Sequence, residues 1–264
     1  MTSDSLRSTF NSAADDYNRI RPGYPDQVFA DIVSLSGIPQ GGAVLEIGCG
    51  TGQATLPLAR LGYPILCLDI GPNLLAIAAE NLRAYPEVRF HNIAFEQWPV
   101  EAGHFDLVFS ATAFHWIPPE IGYAKSALAL KPGGALAVFS NQQPLPPIGF
   151  FDEVQPVYRR LVPEWKGPAE KISIEREIQA QVRTISDTQL FRSVIVRTYP
   201  WSQTYTTDEY LRLLSTYSDH IQLEDNRRRG LYQAIGDLIE QRYGGLVERP
   251  YLTVLYLSLK YNNP

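Results

Sequence analysis

Short apolar runs alternate with longer amphipathic stretches through the first half of the chain. The apolar runs predict buried strands at residues 44–47, 65–69, 88–92, 107–110 and 135–140. Between them, apolar residues recur at helical spacing, which predicts helices at residues 26–35, 73–85 and 123–130. Strands that alternate with helices are typical of an α/β protein whose parallel sheet is covered by helices on both faces.

The second half of the chain is mainly helical after a proline-rich exit from the sheet. Residues 142–150 contain Pro144, Pro146 and Pro147, which interrupt regular structure. Helices are predicted at residues 151–161, 174–190, 207–214 and 225–243, and further strands at residues 193–198 and 251–260. We therefore expect a single domain over residues 1–264, with a helical lid contributed by residues 1–36, 142–190 and 206–245.

Three glycines at alternate positions, Gly48, Gly50 and Gly52, follow the first strand and precede a helix. A strand, a tight glycine turn and a helix in this order form a nucleotide-binding βα unit, in which the backbone approaches the ligand closely. Asp69 ends the second strand, where a carboxylate can accept hydrogen bonds from the hydroxyls of a ribose. The simpler interpretations are a connecting turn for the glycines and a helix-cap or turn residue for Asp69.

The residues around the glycines distinguish between ribose-containing ligands. The dinucleotide-binding fingerprint requires a further small residue at the position where this chain has Gln53. Residues 46–52, EIGCGTG, instead resemble motif I of the class I S-adenosylmethionine-dependent methyltransferases, an acidic residue followed by G-x-G-x-G. The resemblance continues at Asp69 and at residues 105–110 and 130–134. It implies a Rossmann-like sheet of seven strands, mostly parallel with an antiparallel last strand. It also implies S-adenosyl-L-methionine as cofactor and S-adenosyl-L-homocysteine as product.

Residues 17–25 resemble the Y-x-x-x-R-P-x-Y-P leader of small-molecule methyltransferases of the trans-aconitate and quinone-biosynthesis type. This resemblance implies that Tyr17 and Arg21 contact the methionine end of the cofactor, where a guanidinium can hold a carboxylate through two hydrogen bonds. A salt-bridged arginine on a surface helix is the other interpretation of Arg21. The complete set of implied cofactor contacts is Tyr17, Arg21, Glu46, Gly48, Cys49, Gly50, Gly52, Gln53, Asp69, Ile70, Ala94, Phe95, Ser110 and Ala111.

One position departs from the family pattern. Ile93 stands where most members have an aspartate that accepts a hydrogen bond from the adenine amino group. The backbone groups of Ala94 and Phe95, or the carboxylate of Glu96, are the candidates to replace that contact. Phe95 is also a candidate core residue, since buried aromatic side chains are common.

The loop after the fourth strand carries the main candidate for proton transfer. Ligands of parallel sheets bind beyond the carboxyl ends of the strands, and His115 lies in that loop. His115 is a candidate general base and Tyr17 a second candidate catalytic residue, whereas a ring packed between Phe114 and Trp116 is the structural interpretation of His115. Methyl transfer to a carboxylate needs no base. The predicted acceptor contacts are Tyr24, His115, Trp116, Trp165 and Tyr217.

Composition narrows the function further. The chain has 264 residues, of which 45% are hydrophobic, with a net charge of −5 and two cysteines. The charge argues against nucleic acid as a partner, and the cysteines favour a metal-free, disulfide-free, cytoplasmic protein. No apolar run is long enough to span a membrane. The sequence predicts an S-adenosylmethionine-dependent methyltransferase that acts on a small molecule, by O-methylation of a carboxylate or an aromatic hydroxyl. An NAD(P)-dependent oxidoreductase and a catalytically silent relative that only binds the cofactor are the alternatives.

Overall fold

The computed structural model describes residues 18–144, 147–165, 167 and 173–262. In this part of the chain one sheet of seven strands has the order β3-β2-β1-β4-β5-β7-β6. The strands are β1 Val44–Ile47, β2 Ile65–Asp69, β3 Val88–Asn92, β4 Phe105–Ala111, β5 Leu130–Gln142, β6 Ile195–Thr206 and β7 Leu246–Leu259. Only β7 runs against its neighbours β5 and β6. The predicted sheet with an antiparallel last strand is therefore confirmed.

Helices cover both faces of the sheet. They are α1 Asp26–Ser36, α2 Thr55–Arg60, α3 Pro72–Asn81 and α4 Pro119–Ala129. Successive residues of a strand point to opposite faces, so Val44 joins the core beneath α1 and α2 while Leu45 joins the core beneath α4. Because both faces of the central strands are buried, these strands lack the alternating polar residues of a half-exposed sheet.

The last two strands are longer than the sequence predicts. β6 and β7 pair without interruption from Ile195 opposite Leu257 to Thr206 opposite Leu246. The prediction ended β6 before Pro200, which cannot donate a backbone hydrogen bond. β6 is the edge strand of the sheet, where a proline is tolerated.

A third apolar core lies outside the sheet and joins the remaining helices. These helices are α5 Phe150–Glu153, α6 Gln155–Leu161, α7 Ile174–Asp187, α8 Thr207–Ser215, α9 Ser218–Ile221 and α10 Asp225–Tyr243. Phe150, Tyr210 and Ile235 bring α5, α8 and α10 together in this core. The helix α7, which falls within the predicted lid, instead places Ile185 in the core beneath α4.

None of the helices in the described residues combines the length and the apolar character that crossing a bilayer requires.

Candidate active site

A cavity of about 860 Å³ separates the carboxyl ends of β1, β2 and β4 from the third core. Its sheet side is formed by Gly48, Gly50, Asp69, Ile70, Phe95, Ala111 and Thr112, and its opposite side by Tyr158, Trp165, Tyr210, Tyr217, His220 and Arg249. This volume lies near the upper end of the roughly 300–1,000 Å³ usual for ligand pockets. The cavity therefore has room for a nucleoside cofactor and a second small molecule together.

The glycine turn after β1 has a backbone that only glycine adopts easily. Gly48, Gly50 and Gly52 have φ of 73°, 55° and 85°, in the left-handed region. A Cβ on Gly48 would overlap with the Ala113 side chain, and one on Gly52 would lie 2.7 Å from Leu82 Cδ1. Gly48 and Gly50 line the cavity, whereas Gly52 packs against α3 and its C-terminal turn. The glycines thus serve the turn itself as well as access for a ligand.

Asp69 joins the glycine turn to the start of α3. Its Oδ2 accepts a hydrogen bond from the Gly50 N–H at 2.8 Å, and its Oδ1 accepts one from the Gly71 N–H at 2.8 Å. The side chain also lines the cavity, although it is only 9% exposed. A carboxylate oxygen accepts more than one hydrogen bond, so the turn contacts and a contact with a ribose hydroxyl are compatible.

Glu46 lies beneath the glycine turn and does not line the cavity. Its Oε2 accepts a hydrogen bond from the Thr55 hydroxyl at 2.5 Å and a weak one from the Cys67 thiol, and its Oε1 has no partner among the described residues. Burial raises the pKa of this carboxyl to about 8. The predicted contact with the cofactor thus gives way to a contact with α2, because strand alternation turns Glu46 away from the cavity.

The implied cofactor residues divide into those that line the cavity and those that do not. Those that line the cavity are Arg21, Gly48, Gly50, Asp69, Ile70, Phe95 and Ala111, whereas Glu46, Cys49, Gly52, Gln53, Ala94 and Ser110 do not. Ser110 is fully buried and donates to the Ile47 carbonyl at 2.7 Å. The Gln53 side-chain amide donates hydrogen bonds to the carbonyls of Asn18 and Arg21. These bonds attach the leader, residues 17–25, to the glycine turn. Tyr17 lies outside the described residues.

Arg21 lies where the leader meets the third core. Its Nε donates to the Thr216 hydroxyl at 2.9 Å, and its Nη2 donates to the Thr216 carbonyl at 2.6 Å. The guanidinium also lies over the Tyr217 ring, at 4.5 Å from the ring centroid. These contacts place the positive charge of Arg21 in the cavity wall rather than on an exposed helix face.

The predicted acceptor residues lie mostly in the same cavity. His115, Trp116, Trp165 and Tyr217 line it, and the exposed His115 ring lies 4.9 Å from the Trp116 ring. Tyr24 lines a smaller neighbouring cavity instead, where its hydroxyl shares a 2.7 Å hydrogen bond with Thr112. His115 thus lies at the cavity with an exposed ring beside that of Trp116.

Sequence reasoning missed His220, which the structure places in the cavity wall. The side chain is 3% exposed, and its ring lies 4.9 Å from the Trp165 ring. Burial lowers the pKa of His220 to about 4, so the imidazole is neutral at physiological pH. Its Nδ1 has no hydrogen-bond partner among the described residues. Nothing local in the sequence marks this residue, because the rings of Tyr158, Trp165 and Tyr232 reach it from distant segments of the chain.

Arg249 was also missed, although the sequence carried a signal for it. Arg249 precedes Tyr251 by two residues in β7, so both side chains lie on the same face of the strand. The predicted strand began at residue 251 and therefore left Arg249 out.

Among the described residues, no group of three His, Cys, Asp or Glu side chains is placed to hold a metal ion.

Comparisons with known proteins agree with this geometry. Residues 44–134 match a family described as a methyltransferase domain. The chain is 26% identical over 218 residues to an uncharacterized methyltransferase of Mycobacterium bovis, and the aligned region covers 79% of this chain and 86% of that protein. It is 31% identical over 140 residues to a 2-methyl-6-phytyl-1,4-hydroquinone methyltransferase of Synechocystis, and the aligned region covers 51% of this chain and 43% of that protein.

A solved structure shares the fold. It is a phosphoethanolamine N-methyltransferase from Haemonchus contortus in complex with S-adenosyl-L-methionine, with a TM-score of 0.54 and 17% identity. The similarity covers 98% of this chain and 57% of that chain. The family match favours the methyltransferase prediction over the nicotinamide-dependent oxidoreductase. The matched residues run from β1 through the glycine turn to Gly134 in β5, and this match together with the methyltransferase relatives supports a class I S-adenosylmethionine-dependent methyltransferase.

Proposed function

We propose that the protein transfers a methyl group from S-adenosylmethionine to an oxygen of a small organic molecule, either a carboxylate or an aromatic hydroxyl. The observation that carries the proposal is one continuous cavity. It runs from the glycine turn and Asp69 to an aromatic wall that contains Trp165 and Tyr217. A nucleoside cofactor and a small acceptor therefore fit side by side in a single cavity.

The residues on the sheet side suit the cofactor. Gly48 and Gly50 bring backbone to the cavity, and Asp69 offers carboxylate oxygens beside them. Ile70, Ile93 and Phe95 supply an apolar wall next to Asp69, which suits an adenine ring. Arg21 brings a guanidinium to the same cavity and suits the carboxylate of the methionine moiety.

When bound, S-adenosylmethionine supplies a methyl group on a sulfonium whose positive charge disappears during transfer. A site that stabilised this charge strongly would favour the ground state, so the protein gains most by holding the ends of the cofactor. Asp69 at one end and Arg21 at the other meet this requirement. The aromatic wall then orients the acceptor and displaces water from its apolar surface, and these effects supply the rate enhancement.

His115, which is exposed at the cavity, is the candidate for accepting a proton. His220 is neutral but a weak base, because burial lowers its pKa to about 4. An aromatic hydroxyl acceptor would use His115, whereas a carboxylate acceptor is already ionised. Both cysteines are free and buried, which suits a protein of the reducing cytoplasm.

Calorimetry and a transfer assay test the proposal together. We expect S-adenosylhomocysteine to bind and NAD or NADP not to bind. We also expect methyl label from S-adenosylmethionine to appear in a small molecule of a cell extract, identified by mass spectrometry. Binding of NAD or NADP without binding of S-adenosylhomocysteine would refute the proposal. Binding of S-adenosylhomocysteine without any transfer would favour the catalytically silent alternative.

A further inference from the structure

Arg249 carries a positive charge in the cavity wall without a compensating acid. The side chain is half-buried and lines both the main cavity and the smaller one beside it. Its Nε is enclosed and has no hydrogen-bond partner among the described residues. No Asp or Glu of the described part of the chain forms an ion pair with its guanidinium. A guanidinium stays charged at any physiological pH, so this arrangement is costly unless a ligand balances it.

Aromatic rings surround this guanidinium. Its Cζ lies 5.2 Å from the centroid of the Tyr251 ring, 5.6 Å from that of Phe151 and 5.6 Å from that of Tyr217. Ring faces stabilise a cation without neutralising it and without accepting its forked N–H groups. The Tyr210 hydroxyl also interacts with this guanidinium, whereas its Nε has no partner among the described residues. A guanidinium has five N–H donors, so Arg249 keeps donors for an anion.

The acidic side chains of the cavity already have partners. Glu164 forms an ion pair with Arg227 at 2.9 Å, Asp69 accepts from two backbone N–H groups, and Asp219 Oδ1 accepts from the His220 N–H at 2.9 Å. The neighbouring His220 is neutral, because burial lowers its pKa. The Arg249 guanidinium is thus a positive charge, without an ion-pair partner among the described residues, on the side of the cavity opposite the glycine turn.

Arg249 lies on other elements than the glycine turn and Asp69, although it shares the Tyr217 ring with Arg21. The rings that pack on it belong to α5, to the segment between α8 and α9, and to β7. None of these belongs to the strands that carry the glycine turn and Asp69. We infer that Arg249 binds an oxyanionic group, a carboxylate or a phosphate, of the methyl acceptor, whose apolar body packs on Trp165 and Tyr217. This inference rests on the proposed function and makes Arg249 the residue that selects anionic acceptors.

Calorimetry on the protein saturated with S-adenosylhomocysteine tests the inference. The probes are benzoate, phenyl phosphate and the neutral analogue benzamide, all at one ionic strength. We expect at least one of the two anions to bind roughly tenfold more tightly than benzamide, because a charge-assisted pair replaces a neutral contact. Arg249→Gln should abolish this preference and leave the affinity for S-adenosylhomocysteine unchanged. The preferred anion distinguishes a carboxylate from a phosphate acceptor.

Two further variants serve as controls. Arg159→Gln removes a cavity-lining arginine that is exposed, and it should leave the preference for anions intact. Arg249→Lys keeps the charge but loses the fork, so an affinity for the anion between those of wild type and Arg249→Gln is expected. If Arg249→Gln does not fold, the anion affinity of Arg249→Lys tests the inference instead.

Each remaining outcome overturns a defined statement. Equal binding of anions and benzamide to wild type, or an Arg249→Gln variant that keeps the preference, overturns the inference alone. A tenfold loss of S-adenosylhomocysteine affinity in Arg249→Gln also overturns it, since Arg249 would then bind the cofactor. Failure of wild type to bind S-adenosylhomocysteine overturns both this inference and the proposed function.

Discussion

The carboxyl group of Glu46 shows how strand geometry decides what an acidic residue does. Its place before the glycines indicates a ligand contact, but the alternation of β1 turns it toward α2. There the Thr55 hydroxyl and the Cys67 thiol donate hydrogen bonds to the carboxyl group. The orientation of Glu46 was predictable from the sequence, because Val44 and Glu46 are two residues apart in β1 and therefore lie on the same face of the sheet. What the sequence could not give is the burial that follows from the packing of α2.

Burial of Glu46 predicts a pH-dependent effect of its removal. Its pKa in the folded protein, about 8, lies above the usual 4.5, so its stabilising contribution is complete below pH 4.5 and is lost as the pH rises to 8. Glu46→Gln should therefore increase the free energy of unfolding relative to wild type, by on the order of a few kcal/mol above pH 8 and much less at pH 5. Urea unfolding at both pH values measures this difference. The exposed Glu87→Gln is the control, and a difference that does not change with pH would contradict the prediction.

Asp69 is expected to affect both stability and cofactor binding. Asp69→Asn retains one acceptor oxygen, so it loses one of the two hydrogen bonds to the Gly50 and Gly71 N–H groups. We expect about 1–3 kcal/mol of lost stability and a roughly tenfold or greater loss of S-adenosylhomocysteine affinity. Urea unfolding and calorimetry measure the two effects. An unchanged affinity would show that Asp69 supports the turn without contacting the cofactor.

The strands and helices were predictable to different degrees. The central strands and α10 follow from local signals, such as continuous apolar runs and a left-handed Gly244 that ends the helix. The edge strand β6 was predicted too short, because half of its residues face solvent and Pro200 interrupts it. Its full length depends on pairing with β7, a contact between distant parts of the sequence. The prediction also began β7 too late, at residue 251, and so left out Arg249.

The start of α8 offers a test of a local signal. The Thr206 side chain accepts a hydrogen bond from the Glu209 N–H, and the Glu209 carboxylate accepts one from the Thr206 N–H, which forms a capping box. Thr206→Ala should lower the free energy of unfolding by about 1 kcal/mol. Thr206→Ser keeps the hydroxyl and should behave like wild type in the same thermal and urea unfolding experiments. Equal losses in both variants would assign the effect to the methyl group instead of the cap.

The molecule as a whole assembles its cavity from distant segments. The leader contributes Arg21, the loop after β4 contributes His115, and the third core contributes Trp165, Tyr217 and Arg249. The sheet-side half was predictable because a glycine turn, a strand and a helix are contiguous in sequence. The other half was not, since its residues meet only after α5, α8 and β7 have packed together.

Contacts between these segments should make their contributions to cofactor binding interdependent. Arg21 donates two hydrogen bonds to Thr216, so the leader and the third core position the guanidinium jointly. Arg21→Gln should weaken S-adenosylhomocysteine binding roughly tenfold, and Thr216→Val should weaken it less, because only the hydroxyl acceptor is lost. Since Thr216 acts through Arg21, the double variant should be no weaker than Arg21→Gln alone, with a coupling energy of about 1 kcal/mol.

Calorimetry on the four proteins measures this coupling, and the pair Arg21→Gln with Arg159→Gln is the additive control. Arg159 is exposed on α6, and neither it nor Arg21 forms a hydrogen bond with the other. If the losses for Arg21 and Thr216 also add, the guanidinium does not depend on the third core for its position. The leader would then hold the cofactor independently of the aromatic wall. If they do not add, closure of the leader onto that wall and binding of the cofactor are one event, and the acceptor side of the cavity is shaped by the same contact.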